Sequence, residues 1–293
     1  MTVKFSDRAF CLANGISIPA VGFGTWRVPD GDIAVKSVLA ALNGGYTHID
    51  TAAIYGNEKS VGVAIKESGI SRKDLFITTK LWDTEHSYDK ALLAFDQSLA
   101  DLGIDYVDLY LIHWPTIREE SPDFSQINLD TWRALELLYE HGRAKAIGVS
   151  NFLGDYLSNL LEKAKVVPAI NQIEYHIGQI HQKTVDICQK NNILIEAWGP
   201  LGGGDIVDHP ALKGLVEKYN VSVAQLCVRW CLQNNTLPLV KSVNPERIKK
   251  NLDVFDFAIT DEDMNFLNEM GYIGGSGLYF EKFQMEEYQR YSH

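Results

Sequence analysis

Four residues of this chain can do chemistry as a set: Asp50, Tyr55, Lys80 and His113. A free tyrosine titrates near pH ~10 and is a poor acid or base at neutrality. A neighbouring ammonium favours the phenolate and lowers that value, and each pKa unit is worth about 1.4 kcal/mol. A carboxylate such as Asp50 would hold the lysine in place and charged. The imidazole of His113 would give a donor beside a carbonyl oxygen. The set suits moving a proton on or off an oxygen bound to carbon, which is one half of carbonyl reduction. Hydride is the other half, and no side chain supplies it, so a cofactor is implied.

Elements with the right spacing must carry these groups. Apolar strand-like runs stand at Ala20–Gly24, Thr47–Thr51, Leu75–Leu81, Val107–His113, Ala144–Val149, Ala169–Glu174, Ile193–Ala197 and Leu237–Val240. Between them lie helix-like stretches: Asp32–Leu42, Glu58–Glu67, Tyr88–Leu102, Asp130–Glu140, Asp155–Ala164, Gln182–Lys190, Pro210–Tyr219 with Val221–Leu232, and Pro245–Val254. Gly103 and Gly142 read as helix stops, Asp155 and Asn244-Pro245 as starts. Eight such units match an α/β fold of the TIM type, a (β/α)8 barrel; an open doubly wound sheet is the rival and has fewer strands. Phe10–Ile18 reads as a hairpin about Asn14-Gly15, placed to plug the N-terminal mouth. An extra helix, Thr260–Met270, and an aromatic-rich tail follow the eighth unit. No linker or repeat divides the chain, so one domain over 1–293 is expected.

Active sites of such barrels gather at the C-terminal strand ends. Polar or glycine-rich groups stand there: Gly24-Thr25-Trp26, Asp50 to Gly56, Lys80-Leu-Trp82, His113-Trp114, Ser150-Asn151, Gln172, Trp198 to Leu201, and Lys241-Ser242. Packing alone gives no reason for a polar group at each.

The 293 residues hold 27 basic and 38 acidic side chains, a formal charge of −11, with 46% apolar residues. That is globular composition, and it disfavours nucleic acid and anionic membranes as partners. No apolar window is long enough for a membrane span, and the N-terminal residues lack the apolar core of a secretory signal. The four cysteines, Cys11, Cys188, Cys227 and Cys231, form no Cys-x-x-Cys pair, and Cys227 with Cys231 read as packed thiols. A cytoplasmic protein is expected, a monomer or at most a weak dimer.

Gly22-Phe-Gly-Thr-Trp26, His48-Ile-Asp50-Thr-Ala-x-x-Tyr55-Gly56, Lys80-Leu-Trp82 and Asp108-Leu-Tyr-Leu-Ile-His113-Trp-Pro115 follow one another in order. Gly148-Val-Ser-Asn-Phe152, Asn171-Gln-x-Glu-Tyr175 and Lys241-Ser-x4-Arg247-Ile-x2-Asn251 continue the series. Over nearly its full length the chain resembles the aldo-keto reductases, which are NAD(P)H-dependent (β/α)8 barrels. The resemblance is to their short-looped microbial and plant-type branch, which includes diketogluconate-reductase-like enzymes. It implies that Tyr55 is the general acid, Lys80 and Asp50 its tuning pair, and His113 the group that orients substrate. It implies that Ser150, Asn151 and Gln172 hold the nicotinamide carboxamide and that Trp198 stacks on the ring. Lys241, Ser242 and Arg247 match the pocket for the adenosine 2′-phosphate of NADPH/NADP+, and Asn251 the adenine contact. Gly24, Thr25, Trp26, Asp50, Gly199, Leu201 and Val243 complete the expected cofactor contacts. The expected partner is a small carbonyl substrate, touched by Trp26, Tyr55, Trp82, His113 and Trp114.

The chain departs from the family at Gly199, where many members have serine, and at Lys250, where an acidic or amide residue is common. The loop Leu201–Asp208 is short and glycine-rich and reads as open. Other readings stand beside these. Gly22-x-Gly24 has Arg27 where a dinucleotide fingerprint needs a third glycine, so it reads as a tight turn. His48-x-Asp50 could be half of a metal site as in barrel hydrolases, but no second pair completes it, and His48 reads as a buried core histidine. A nucleotide sensor on the same barrel is a further class, against which the intact four-residue set argues. Trp26, Trp82 and Trp114 are pocket wall or core, Trp132 and Trp230 core. The segment Gly274–Phe283 is a lid or ordered packing.

Overall fold

The computed structural model describes residues 5–6, 8–116 and 120–276. Eight parallel strands close into a barrel: β4 (Gly22–Gly24), β5 (His48–Asp50), β6 (Phe76–Leu81), β7 (Val107–Ile112), β8 (Ala144–Ser150), β9 (Ile170–Glu174), β10 (Leu194–Trp198) and β11 (Leu237–Val240). The last strand pairs with the first, Leu239 opposite Gly22. Strand Phe76–Leu81 is buried at every residue, Thr78, Thr79 and Lys80 included, so, covered on both faces, it shows no alternation of buried and exposed positions.

The layer outside holds α1 (Asp32–Asn43), α2 (Glu58–Ser68), α3 (Tyr88–Leu102), α4 (Phe124–Glu140), α5 (Asp155–Leu161), α6 (Gln182–Lys190), α7 (Lys213–Tyr219), α8 (Val223–Gln233) and α9 (Pro245–Leu252). Helix α10 (Asp261–Asn268) is the extra one. Local chemistry sets the ends. Ser222 and Gln225 form a capping box on α8, and Asn244 Oδ1 accepts from Arg247 N–H at 3.1 Å with Pro245 in the first turn of α9. Gly103 stops α3 in the left-handed region at φ 64. Helix α4 begins at Phe124, ahead of the expected Asp130, because Ser121 and Asp123 carry a turn into it. Asp155 is not a side-chain cap; Gly154 precedes α5 at φ 49.

The N-terminal hairpin has three strands rather than two: β1 (Phe5–Ser6), β2 (Ala9–Cys11) and β3 (Ser17–Pro19). Phe10, Leu12 and Ile18 are buried under it, and Asn14 Nδ2 donates to the Lys145 carbonyl at the start of β8. The sheet therefore covers the strand starts, opposite the polar strand ends. Trp132, Trp230, Cys227 and Cys231 are wholly buried, as expected. Of the tail, 277–293 lie outside the described residues, so the lid reading of Gly274–Phe283 does too beyond Ser276. No helix among the described residues is long and apolar enough to cross a membrane.

Candidate active site

Lys80, on the fully buried β6, is itself completely buried. Its ammonium donates to three oxygens: Asp50 Oδ1 at 2.6 Å, the Thr51 carbonyl at 2.9 Å and the Tyr55 hydroxyl at 3.2 Å. Tyr55 rides on a 3-10 turn, Ala53–Tyr55, that Gly56 ends at φ 67. Asn57 pins this turn to the β4 loop by donating to the carbonyls of Thr25 and Val28 and accepting from the Thr51 hydroxyl. Thr25 is thus a buried part of the scaffold. His113 closes β7; its ring lies 5.5 Å from Tyr55, edge to face, and 5.3 Å from Trp82.

Burial, and then the charge of Lys80, hold His113 well below its usual 6.5, so it is a neutral donor. Tyr55 departs from expectation. Burial pushes its hydroxyl well above 10, and the charges of Asp50 and Glu196 push the same way. Lys80 sits closer to Asp50 than to Tyr55, so most of its field is met by the carboxylate. The phenol therefore keeps its proton across the neutral range. Burial also raises Asp50, with Lys80 and Gln172 pulling back.

On the far side of the barrel a second network forms. Ser150 donates to the Gln172 carbonyl at 2.8 Å, and Asn151 Nδ2 donates to the His113 carbonyl at 3.0 Å. Trp198 Nε1 donates to Asn151 Oδ1 at 2.9 Å. Gln172 Nε2 crosses the barrel to Asp50 Oδ2 at 3.0 Å and also reaches Glu196 Oε2 at 2.7 Å.

A cavity of about 280 Å³ opens between the two networks. Gly24, Trp26, Asp50, Tyr55, His113 and Trp114 line one side. Ser150, Asn151, Gln172, Trp198, Gly199 and Leu201 line the other, with Lys241 at one end. Trp26 and Trp198 face each other edge to face, 6.2 Å between ring centres. Lys80, Thr25 and Trp82 are buried and do not line the cavity. Ser242, Val243, Arg247 and Asn251 continue past Lys241 into α9: Arg247 is exposed, Val243 is 50% exposed, and Asn251 is buried.

Arg27, Pro200, Gly203 and Gly204, which sequence reasoning did not name as contacts, also line the cavity. Arg27, at φ 57, lays its guanidinium 4.3 Å over the Trp26 ring. Burial, and then the charge of Arg27, lower Lys241. Both cations line the cavity, and an anion beside them would offset the charge of Arg27 felt by Lys241. The position of Arg27 next to Trp26 was the available signal, but its place in the cavity wall goes with a positive φ that no motif announced.

A profile of the Aldo/keto reductase family matches residues 20–271. The chain belongs to that family. This aldo-keto reductase is 44% identical over 259 residues to the glyoxal reductase of Bacillus subtilis, covering 88% of this chain and 91% of that one. Among solved structures it resembles an aldo-keto reductase from a Medee basin deep-sea metagenome library, with a TM-score of 0.88 at 41% identity, covering 94% of this chain and 99% of that one. It also resembles the Bombyx mori aldo-keto reductase in complex with NADP, at 0.82 and 36%, covering 90% and 93%.

Gly199 lies at φ 64, where any side chain is strained, although the space beside it is open to 3.9 Å from Glu174.

Proposed function

We propose that this oxidoreductase reduces small aldehydes and ketones with NADPH, acting as a single-domain cytoplasmic protein, a monomer or at most a weak dimer. One observation carries the reading: the buried Lys80 ammonium joins Asp50 to Tyr55 at the wall of a cavity that His113 also faces. The same cavity suits an extended dinucleotide. Glycine backbone at 24, 199, 203 and 204 leaves room for close approach, Trp198 offers a ring face, and Arg27 with Lys241 calls for an anion. Arg247, Lys241 and Ser242 at the start of α9 would take the 2′-phosphate, and Ser150, Asn151 and Gln172 the carboxamide. A relative solved with NADP supports that choice.

Bound reduced nicotinamide would supply the hydride. The chain's own residues do the rest. His113, neutral, donates to the carbonyl oxygen and fixes its direction. Tyr55 holds a proton at its hydroxyl and gives it to that oxygen as negative charge develops there. Lys80 stabilises the phenolate left behind, and Asp50 holds Lys80 in place. Trp26 and Trp114 shield the site from water.

The test is an absorbance assay with NADPH over aldehydes, α-keto esters, diketones and keto-sugars, run for the parent and Tyr55→Phe. The ring can still pack in the variant while its proton donor is gone. Turnover should fall by about 10²–10⁴, with cofactor binding nearly intact. Parent-like kcat on an unactivated ketone would remove Tyr55 as the acid.

A further inference from the structure

Beneath the site lies a carboxyl group that the proposed chemistry leaves idle. Glu196 of β10 is completely buried. Its Oε2 accepts from Gln172 Nε2 at 2.7 Å, while its Oε1 has no hydrogen-bond partner among the described residues. The same Gln172 nitrogen donates to Asp50 Oδ2. One amide therefore bridges two carboxyl groups, with both of its hydrogens committed, and its carbonyl oxygen is the end left for the cavity that Gln172 lines.

The groups around Glu196 come from every packed element. On β5 stand Asp50 and His48, whose Nε2 is 3.7 Å from Glu196 Oε1. The turn after β5 brings Tyr55, which feels the Glu196 charge. Lys80 comes from β6 and uncharged Gln172 from β9; on β11 the residue opposite Glu196 is Leu237. His48 is neutral, its pKa lowered to about 3 by burial and then Lys80. A single cation thus stands against two carboxyl groups, and it touches Asp50. An ionised Glu196 would keep a bare charged oxygen in the barrel interior, which is costly; the neutral acid avoids that cost.

Resting on the carbonyl-reductase reading above, we infer that Glu196 is a positioning residue of this site, held as the neutral acid, which fixes the Gln172 amide with its carbonyl toward the cavity and leaves Lys80 to balance Asp50 alone. Burial, and then the Asp50 charge, push the Glu196 carboxyl up to about 8. Above that pH the ionised group adds negative charge near Tyr55 and makes its phenolate harder to form.

Glu196→Gln mimics the neutral acid and can still accept from Gln172. It should match the parent in kcat/KM for carbonyl reduction at pH 7 within about twofold. In the reverse direction, alcohol oxidation needs the Tyr55 phenolate. Its rising limb should lie about one unit lower in pH in the variant, a roughly tenfold gain at a fixed pH on that limb. Superimposed pH profiles, or an equal loss at pH 7 and pH 9, would overturn the inference. A second readout needs no activity. Burial pushes the folded carboxyl up to about 8, against 4.5 in the unfolded chain, so the parent takes up a proton on folding between those values and loses stability as pH rises through them. The melting temperature of Glu196→Gln minus that of the parent should therefore widen from pH 5 to pH 8. A constant gap would show that Glu196 is ionised throughout. A widening gap without any carbonyl turnover would uphold the neutral acid and sink the reductase reading instead.

Discussion

Trp198 and Asn151 sit at the ends of strands two apart in the barrel, and the indole N–H of one donates to the side-chain carbonyl of the other at 2.9 Å. Asn151 itself is at φ 61, a conformation asparagine tolerates better than most residues. Its amide is then spent on the His113 carbonyl and on Ser150. The indole thus ties the β10 side of the cavity to the backbone that carries the His113 imidazole.

Trp198→Phe separates the ring from this bond. A phenyl group can still face nicotinamide, but Asn151 Oδ1 loses its donor. NADPH affinity should fall by about tenfold, the value of one neutral hydrogen bond left unmade, and kcat should fall as well because His113 is less well held. Calorimetric titration with NADPH checks the first part. Unchanged affinity would mean that the indole N–H has no part in shaping the site.

Lys80→Met should cripple reduction and destabilise the fold. It leaves the Asp50 carboxylate buried without its cation, a loss of about 3–5 kcal/mol. The double variant Asp50→Asn with Lys80→Met should recover part of that stability and none of the activity. Denaturant melts of the three proteins measure it. A double variant no more stable than Lys80→Met would show that the unpaired charge is not what costs.

Arg247→Ala bears on cofactor choice. Hydrogen bonds to charged groups are worth about 1.5–3 kcal/mol, so the parent should prefer NADPH over NADH by roughly ten- to a hundredfold, less at high salt. The variant should lose about tenfold in NADPH affinity and change little for NADH. Dissociation constants for both cofactors decide it. Equal losses would assign Arg247 to the fold or the adenine and leave Lys241 and Arg27 as the anion-binding pair.

The pH profile of reduction follows from two directions of shift. His113 is held well below 6.5 and Tyr55 well above 10, so neither changes state near neutrality. The kcat/KM for a neutral aldehyde should be flat between about pH 6 and pH 8. A limb near 6.5 that disappears in His113→Gln would show that the imidazole titrates as an exposed one does.

Strand periodicity and polar strand ends made the barrel legible, because a parallel sheet buried on both faces must be written as apolar runs broken by polar tips. The four chemical residues were legible for the same reason. The third N-terminal strand was not, since Phe5–Ser6 is too short to carry a pattern. The start of α4 was missed although Phe124 and Ile127 stand three apart, at the spacing of one helix face, because a single such pair is too short to set a period. At the site, the direction of the Tyr55 shift went the other way, because spacing places a lysine near a tyrosine but cannot say which of two acids takes its charge. Arg27 and Glu196 escaped for a related cause. One depends on a left-handed residue, the other on a strand interior where a glutamate looks like an isolated break in an apolar run.

The order of the strands also divides labour along the chain. Strands β4 to β7 carry Asp50, Tyr55, Lys80 and His113; β8 to β11 carry Ser150, Asn151, Gln172, Trp198 and Lys241. The first half-barrel holds the proton-handling groups and the second most of the surface assigned to the cofactor. Two bonds stitch the halves at the site, Gln172 to Asp50 and Asn151 to the His113 carbonyl. A hybrid that joins the first half of this chain to the second half of a relative would inherit its chemistry from one parent and its cofactor preference from the other, provided both stitches survive the graft.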